Sequence, residues 1–182
     1  AIYKDNTMAS LQYLPNAYDG DFVIPASVTY VNTTGSDLYM SPELGDISVA
    51  EGNKDFIVEN GILYAIAEYD DSQAGETIIE TDYSTAYYFN KSLTGIVTLN
   101  DSTYKICEYA LANSNLDGIA YSDNIDVGTG FFKTSWKEGV VAGVKEGFKI
   151  YFADEVSITA AKSLSRLSAV ASYISDTPYV AE

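Results

Sequence analysis

The chain has no histidine and one cysteine, so its 26 carboxylates and sixteen tyrosines are the side chains able to do chemistry. Without imidazole there is no Ser-His-Asp or Cys-His relay, no His-ligated zinc or iron and no imidazole pH switch. Cys107, in the apolar stretch from Ile106 to Tyr109, can form neither an internal disulfide nor a thiolate metal site, and it reads as a buried, inert thiol. The densest acidic cluster is Glu68-Tyr69-Asp70-Asp71, close in sequence to Tyr64. A glycoside hydrolase needs two carboxylates facing one sugar; a solvated hairpin tip explains this cluster more simply. Asp21, Glu43, Asp46 and Glu51 could gather on one side of a stack, but their spacing matches no calcium loop. Gly128-Thr129-Gly130 lacks the third glycine of a dinucleotide loop and reads as a turn. Ser41, Ser92 and Ser102 have no base in a recognisable arrangement. No catalytic, metal-ligating or cofactor-binding residue follows from these patterns.

Tyrosine is the remaining functional candidate. Tyr83, Tyr87, Tyr88, Tyr104, Tyr109 and Tyr121 crowd the middle of the chain. Exposed tyrosines are amphipathic contact residues with few rotatable bonds, suited to protein or glycan surfaces. On that basis Tyr83, Tyr87, Tyr88, Tyr104 and Tyr121 are the candidate binding residues. The competing reading packs half or more of them in the core with only the hydroxyl at the surface.

The elements that must position these residues are short. In 182 residues, 47% hydrophobic, there is material for one domain or a short array with a substantial core. The net charge of −16 disfavours phosphate backbones and anionic lipid, so nucleic acid and acidic membranes are poor partners. No run approaches the roughly 20 apolar residues of a membrane span. No basic-then-apolar leader opens the sequence, and the reading expects a signal peptide already removed or trimmed.

β-branched and alternating runs dominate the first two thirds. They predict strands at Phe22-Ile24, Val28-Val31, Ile47-Val49, Ile62-Ala67, Thr77-Glu80, Ala86-Phe89, Ile96-Leu99 and Ile119-Tyr121. Turn chemistry separates them at Asp19-Gly20, Asn60-Gly61, Asn100-Asp101 and Asp123-Asn124. Three formal glycosylation sequons, at Asn32, Asn90 and Asn100, read as exposed turns. Helical turns are expected near Leu38-Met40 and at Glu108-Ala112. One longer helix is expected over Val156-Ile174, capped by Asp154 or Ser157, where Ile158, Ala161, Leu164, Leu167 and Val170 recur every third residue.

A repeat underlies the strands. Leu93-Thr94-Gly95-Ile96 returns 23 residues later as Leu116-Asp117-Gly118-Ile119, and Ile24 and Ile47 stand at the same interval. A period in the twenties is the mark of a solenoid of small stacked units. Each unit is too small to bury its own apolar face, so stacking should place Ile24, Ile47, Ile96 and Ile119 in a water-excluding column.

Several segments resemble the BspA-type leucine-rich repeat proteins of bacterial surfaces. Phe22-Val23-Ile24-Pro25-Ala26-Ser27-Val28-Thr29-Tyr30-Val31 is similar to the opening of that family's repeat, and Tyr109 to Ile119 to its closing half. Ile47 to Phe56, with Gly52-Asn53, followed by Asn60-Gly61-Ile62-Leu63-Tyr64, resembles its linker hairpin. Ile2 to Asn6 and Leu11 to Pro15 look like the tail of another hairpin. Asn32 and Cys107 depart from the pattern where glycine is usual.

The expected fold is α/β and β-rich: a short, irregular leucine-rich-repeat solenoid with a β-hairpin insert and a C-terminal helix. Residues 1–132 would hold the repeats and insert, and residues 133–182 a degenerate repeat or capping element. The resemblance implies a non-enzymatic, secreted or cell-surface adhesion module that recognises a protein or glycan and uses no cofactor. The alternatives are a β-sandwich subunit of a surface fibre or pilus and, below it, a carboxylate-dependent glycoside hydrolase.

Overall fold

A computed structural model describes the chain except for residues 5, 16–17, 33–42, 72–75, 113, 128–130 and 181–182. Side chains at 13, 68–71 and 76–79 also lie outside the described set. Two parallel stacks organise the rest. In the first, β3 (Gly20–Ile24) lies beside β5 (Leu44–Val49), with Phe22 opposite Ile47 and Ile24 opposite Val49. In the second, β11 (Thr94–Thr98), β13 (Asn115–Ala120) and β14 (Lys149–Tyr151) are parallel in that order, and a single parallel bridge joins Ile150 to Ile174. Two shorter parallel pairs form the opposite sides of the units: β2 (Ser10–Tyr13) with β4 (Tyr30–Val31), and β9 (Thr85–Ala86) with β12 (Lys105–Ile106). Parallel neighbours require a crossover in place of a tight hairpin. A sandwich is antiparallel, so the fibre-type sandwich fails on strand direction. The chain is a short, irregular, β-rich solenoid.

The two copies of L-x-G-I are parallel neighbours, but their spatial register is not their sequence register. Gly95 faces Leu116, and past a bulge Ile96 faces Gly118 and Val97 faces Ile119. β13 therefore uses two residues against one step of β11. A slip of one residue turns a side chain to the other face of a sheet. That corrects the expected column: Ile24, Ile47 and Ile119 are buried, whereas Ile96 is 37% exposed and Val97 packs on the core in its place. The first stack carries the same device, since β5 uses three steps from Leu44 to Ile47 against two from Gly20 to Phe22. In both stacks the glycine at the bulge has a left-handed backbone, φ +93° at Gly20 and +71° at Gly95, which costs glycine little and other residues more.

Between the stacks stands an antiparallel sheet. β6 (Phe56–Glu59) turns through Asn60-Gly61 into β7 (Ile62–Asp71), which also pairs with β8 (Glu76–Asp82) and β10 (Tyr88–Phe89). Both turn residues have positive φ, 50° and 75°, the backbone of a tight two-residue hairpin. This hairpin is less an insert than a shared wall. Leu63 and Tyr88 point into a core with Leu11, Ile24 and Ile47, while Ile62, Tyr64 and Phe89 point into a second core with Leu116, Ile119 and Ile150. Tyr87 packs against both. Each fully buried aliphatic side chain contributes about 1.5–3 kcal/mol.

Two side-chain amides tie the wall to the first stack. Asn90 is buried; its Oδ1 accepts from Ile47 N at 2.9 Å and its Nδ2 donates to Ile47 O at 3.1 Å. The amide thus pairs with β5 as a neighbouring backbone would, and Asn90 is no exposed sequon. Asn53 donates from Nδ2 to Pro25 O and Val28 O at 2.9 and 3.0 Å, and its Oδ1 accepts from Asp55 N and Phe56 N, both at 2.8 Å. Val28 N bonds back to Pro25 O at 3.1 Å, so the strand expected over Val28-Val31 begins only at Tyr30.

The C-terminal segment belongs to the second core: Trp136, Val140, Phe148, Ile158 and Val170 pack in one cluster with Leu116 and Phe132. The single helix expected over Val156-Ile174 is two. An α-helix, α1 (Glu155–Ser163), is capped by Asp154, whose carboxylate accepts from Ser157 N at 2.7 Å. Leu164 is extended (φ −72°, ψ 122°), and a 3-10 helix follows over Ser165–Tyr173. The three-residue recurrence of Leu164, Leu167 and Val170 is the period of a 3-10 helix, not of an α-helix. The turn expected at Glu108-Ala112 is present, with Ala112 N bonded to Tyr109 O at 2.9 Å; Leu38-Met40 lies outside the described residues.

Candidate functional site: a tyrosine recess at the edge of the parallel sheet

The stacking of the units sorts the tyrosines. Tyr88 is 1% exposed and donates its hydroxyl to Gly45 O at 2.8 Å. Tyr121 is fully buried, stacked on Phe152 with ring centroids 5.5 Å apart, and its hydroxyl donates to Thr103 O. Both are core residues and leave the set of candidate binding residues, because a buried ring offers no contact surface. Tyr87 is half-buried between the two cores, edge-on to Phe56 at 5.9 Å, and burial pushes its phenol up to about 12. Tyr104 is half-buried under the Lys133 ammonium, which lies 5.0 Å from its ring centre, and its carbonyl accepts the Trp136 indole N–H at 3.0 Å.

Tyr83 is placed differently. It follows β8, partly exposed, and meets Tyr64 of β7 with ring centroids 5.1 Å apart and planes at 76°. The two rings form a corner of a recess of about 150 Å³, completed by Glu59 and Asn60 of the hairpin, by Ile62, and by Thr98, Leu99 and Asn100 at the end of β11. The Tyr83 hydroxyl donates to the Glu59 carboxylate. That hydrogen bond, followed by burial, raises the Tyr83 phenol above its ordinary value. Burial raises the Tyr64 phenol to about 12, against the opposing influence of the neighbouring Thr103 hydroxyl and Asn100 backbone. Both phenols are therefore neutral at physiological pH.

Thr103 holds this arrangement from beneath. It is fully buried; its Oγ1 donates to Tyr83 O at 2.6 Å, its carbonyl accepts from Tyr121, and its N–H closes a turn on Asn100 O at 2.9 Å. Sequence reading missed Tyr64 and Thr103 as site residues. The Asn60-Gly61 turn signal was visible, but the approach of that turn to the end of β11 depends on tertiary stacking. Asn60 shares the recess with Thr98, Leu99 and Asn100, and at the other end of β11 a Cβ on Gly61 would sit 2.7 Å from a Leu93 methyl.

Among the described residues the recess holds one carboxylate, Glu59, where a glycosidase pair needs two. The side chains of Glu68-Tyr69-Asp70-Asp71 and the turn at Gly128-Thr129-Gly130 lie outside the described residues. Asp21 and Asp46 are committed to the fold: Asp21 Oδ1 accepts from Asp46 N, and Asp46 Oδ1 from Ser92 N, both at 2.8 Å. Among the described residues no three His, Cys, Asp or Glu side chains converge as a metal site would require. A larger groove of about 520 Å³ runs between Ile125–Val127 and the start of α1, but the Asp154 carboxylate at its edge is spent on capping the helix.

Above the recess, β11 presents Thr94, Ile96 and Thr98 outward, so Thr98 belongs to both the recess and the open face. Next to them Gly118 and Ala120 are covered by their neighbours in β14. A Cβ on Gly118 would lie 2.5 Å from Lys149 O and 2.8 Å from the Tyr151 ring. Tyr151 in turn lies 6.2 Å from Tyr179. This second tyrosine pair also escaped the sequence reading, because the period fades before β14.

No protein-family model matches the chain, and no curated protein matches it. Two solved structures show a likeness. A leucine-rich repeat protein from Eubacterium ventriosum is 14% identical with a TM-score of 0.43, over 78% of this chain and 35% of that one. The pneumococcal vaccine antigen PcpA is 13% identical with a TM-score of 0.37, over 97% of this chain and 58% of that one. The chain thus spans less than two thirds of either protein. At these scores the likeness carries no weight, and the fold stands on its own strand register.

Proposed function

We propose that the chain is a non-enzymatic binding module of an extracellular or cell-surface protein, related to the BspA-type leucine-rich repeats. It recognises a protein or glycan, without a cofactor, through the Tyr64–Tyr83 recess and the outward face of β11 beside it. The observation that carries this reading is the recess itself. Two neutral phenols, one carboxylate and two asparagines converge at the rim of an open parallel sheet, and among the described residues no second carboxylate for acid–base hydrolysis lines it. A few polar groups placed on a partly aromatic, concave surface fix the orientation of a bound ligand. Stacked-repeat scaffolds generally present such extended surfaces. The charge of −16 disfavours nucleic acid, and among the described residues no helix is long and apolar enough to cross a membrane.

The test is a glycan array and a panel of immobilised extracellular proteins probed with the chain and with Tyr83→Ala. Saturable capture of at least one ligand, lost in the variant, supports the reading. Turnover of a glycan or peptide substrate that disappears in Glu59→Gln would sink it.

A further inference from the structure

The lining of the recess has a sign. Among the described residues it contains one carboxylate, two phenols and two asparagines, and no lysine or arginine. The molecule around it carries −16, a field that concentrates cations and repels carboxylates, sulfates and phosphates. We propose that the recess receives a primary ammonium group, the tip of a lysine side chain on a partner protein. This rests on the binding-module reading and names the chemical group its site takes.

Three features converge on it. An ammonium is three donors and no acceptor, and the recess supplies acceptors: the Glu59 carboxylate, with only part of its capacity used by Tyr83, and the oxygens of Asn60 and the phenols, whereas the Asn100 side-chain oxygen is already taken by Ser102. The Tyr64 and Tyr83 rings, at 76° and 5.1 Å, give two aromatic walls, and aromatic surfaces attract cations most where water is partly excluded. The size also fits. About 150 Å³ accommodates a butyl-sized group and not an extended oligosaccharide, a cavity of that order being known to hold a benzene ring. A short, flexible lysine stem reaches into such a hole more readily than a planar guanidinium, which needs a wider slot. The chain already pairs these chemistries once, with the Lys133 ammonium over Tyr104.

The experiment is a titration of the intact chain followed by NMR at the Asn60 and Asn100 side-chain amides and the Tyr83 ring. The probes are n-butylammonium, n-butanol, butyrate and N-acetylglucosamine. The proposal expects saturable shifts with n-butylammonium alone, and a midpoint raised about tenfold in Glu59→Gln, the scale of one lost charge-assisted hydrogen bond. Tyr83→Phe keeps the ring and should weaken binding less. Equal or tighter response to n-butanol or N-acetylglucosamine, or a Glu59→Gln midpoint equal to that of the parent, would overturn it. Capture of a glycan on the array with no response to n-butylammonium would also overturn the lysine assignment while leaving the binding-module reading standing.

Discussion

Asn90 ties the shared wall to the first stack. Its amide occupies both the N–H and the carbonyl of Ile47 inside the protein, so Asn90→Ala leaves two buried backbone groups unpaired. The expected cost is about 2–4 kcal/mol, read from urea denaturation. Asp101 has the opposite character. Its Oδ1 is shut from solvent with no donor, and burial, followed by a hydrogen bond and repulsion from Asp123, raises its carboxyl above the usual value. A raised folded-state value favours the protonated form. The stability this group contributes is therefore full at acid pH and is lost as pH rises through the folded value. Asp101→Asn should stabilise the chain at pH 7 by less than about 1 kcal/mol, since the pair stays partly solvated, and the gain should vanish near pH 3. Thermal unfolding at both pH values checks this. Asp154 and Asp176 run the other way, their carboxyls lowered by the Ser157 amide and by Lys162; what they add is present at neutral pH and lost on acidification. The Asp154 cap was readable from residue type and position; the roles of Asn90 and Asp101 were not. Asn90 sits in a formal sequon and Asp101 in a polar turn, and both signals say exposed surface. Only the packing of one unit on the next decides otherwise.

At the scale of elements, the strands were legible and their register was not. Hydrophobic alternation located the cores of β3, β5, β7, β8, β11 and β13, and Asn60-Gly61 marked its hairpin. The 23-residue interval correctly made β11 and β13 parallel neighbours, yet the bulge after Gly95 turned Ile96 outward. Sequence periodicity counts residues, and a bulge inserts one without changing the count that meets the eye. The helix was misread for a related reason: a three-residue recurrence was fitted to an α-helix when it described a 3-10 helix. β6 passed unnoticed because it is short, with one buried side chain, and β14 because it is shorter still and pairs with β13, distant in sequence. The two glycines of the repeat predict different defects. Gly118→Ala would drive a methyl into Lys149 O and the Tyr151 ring, costing about 1–3 kcal/mol as overpacking does. Gly95→Ala meets open space, so only its left-handed backbone resists, at about 1 kcal/mol. Denaturant midpoints should rank the two in that order. In the 3-10 helix, Leu167 is 1% exposed, and Leu167→Ala should cost about 2–5 kcal/mol.

For the whole molecule, two cores share one wall, and that coupling should show in unfolding. Trp136 is the one tryptophan in the chain and lies in the second core, whereas far-UV circular dichroism reports both. The two signals should coincide in the parent chain, as in a cooperative transition. In Asn90→Ala the dichroism should begin to change before the Trp136 fluorescence, as the first stack loosens from the wall. The tyrosine recess depends on the same architecture. It forms where the hairpin turn, the loop after β8 and the end of β11 converge, which is why residue types named five tyrosines while the fold leaves Tyr83, with the unforeseen Tyr64, to line it. Which side chains β11 offers outward follows from its register against β13, so that register is the central claim. It is tested most directly by interstrand nuclear Overhauser effects in the labelled chain. Parallel strands with contacts from Ile96 to Gly118 and from Val97 to Ile119 are predicted. Contacts from Ile96 to Ile119, or an antiparallel pattern, would contradict it.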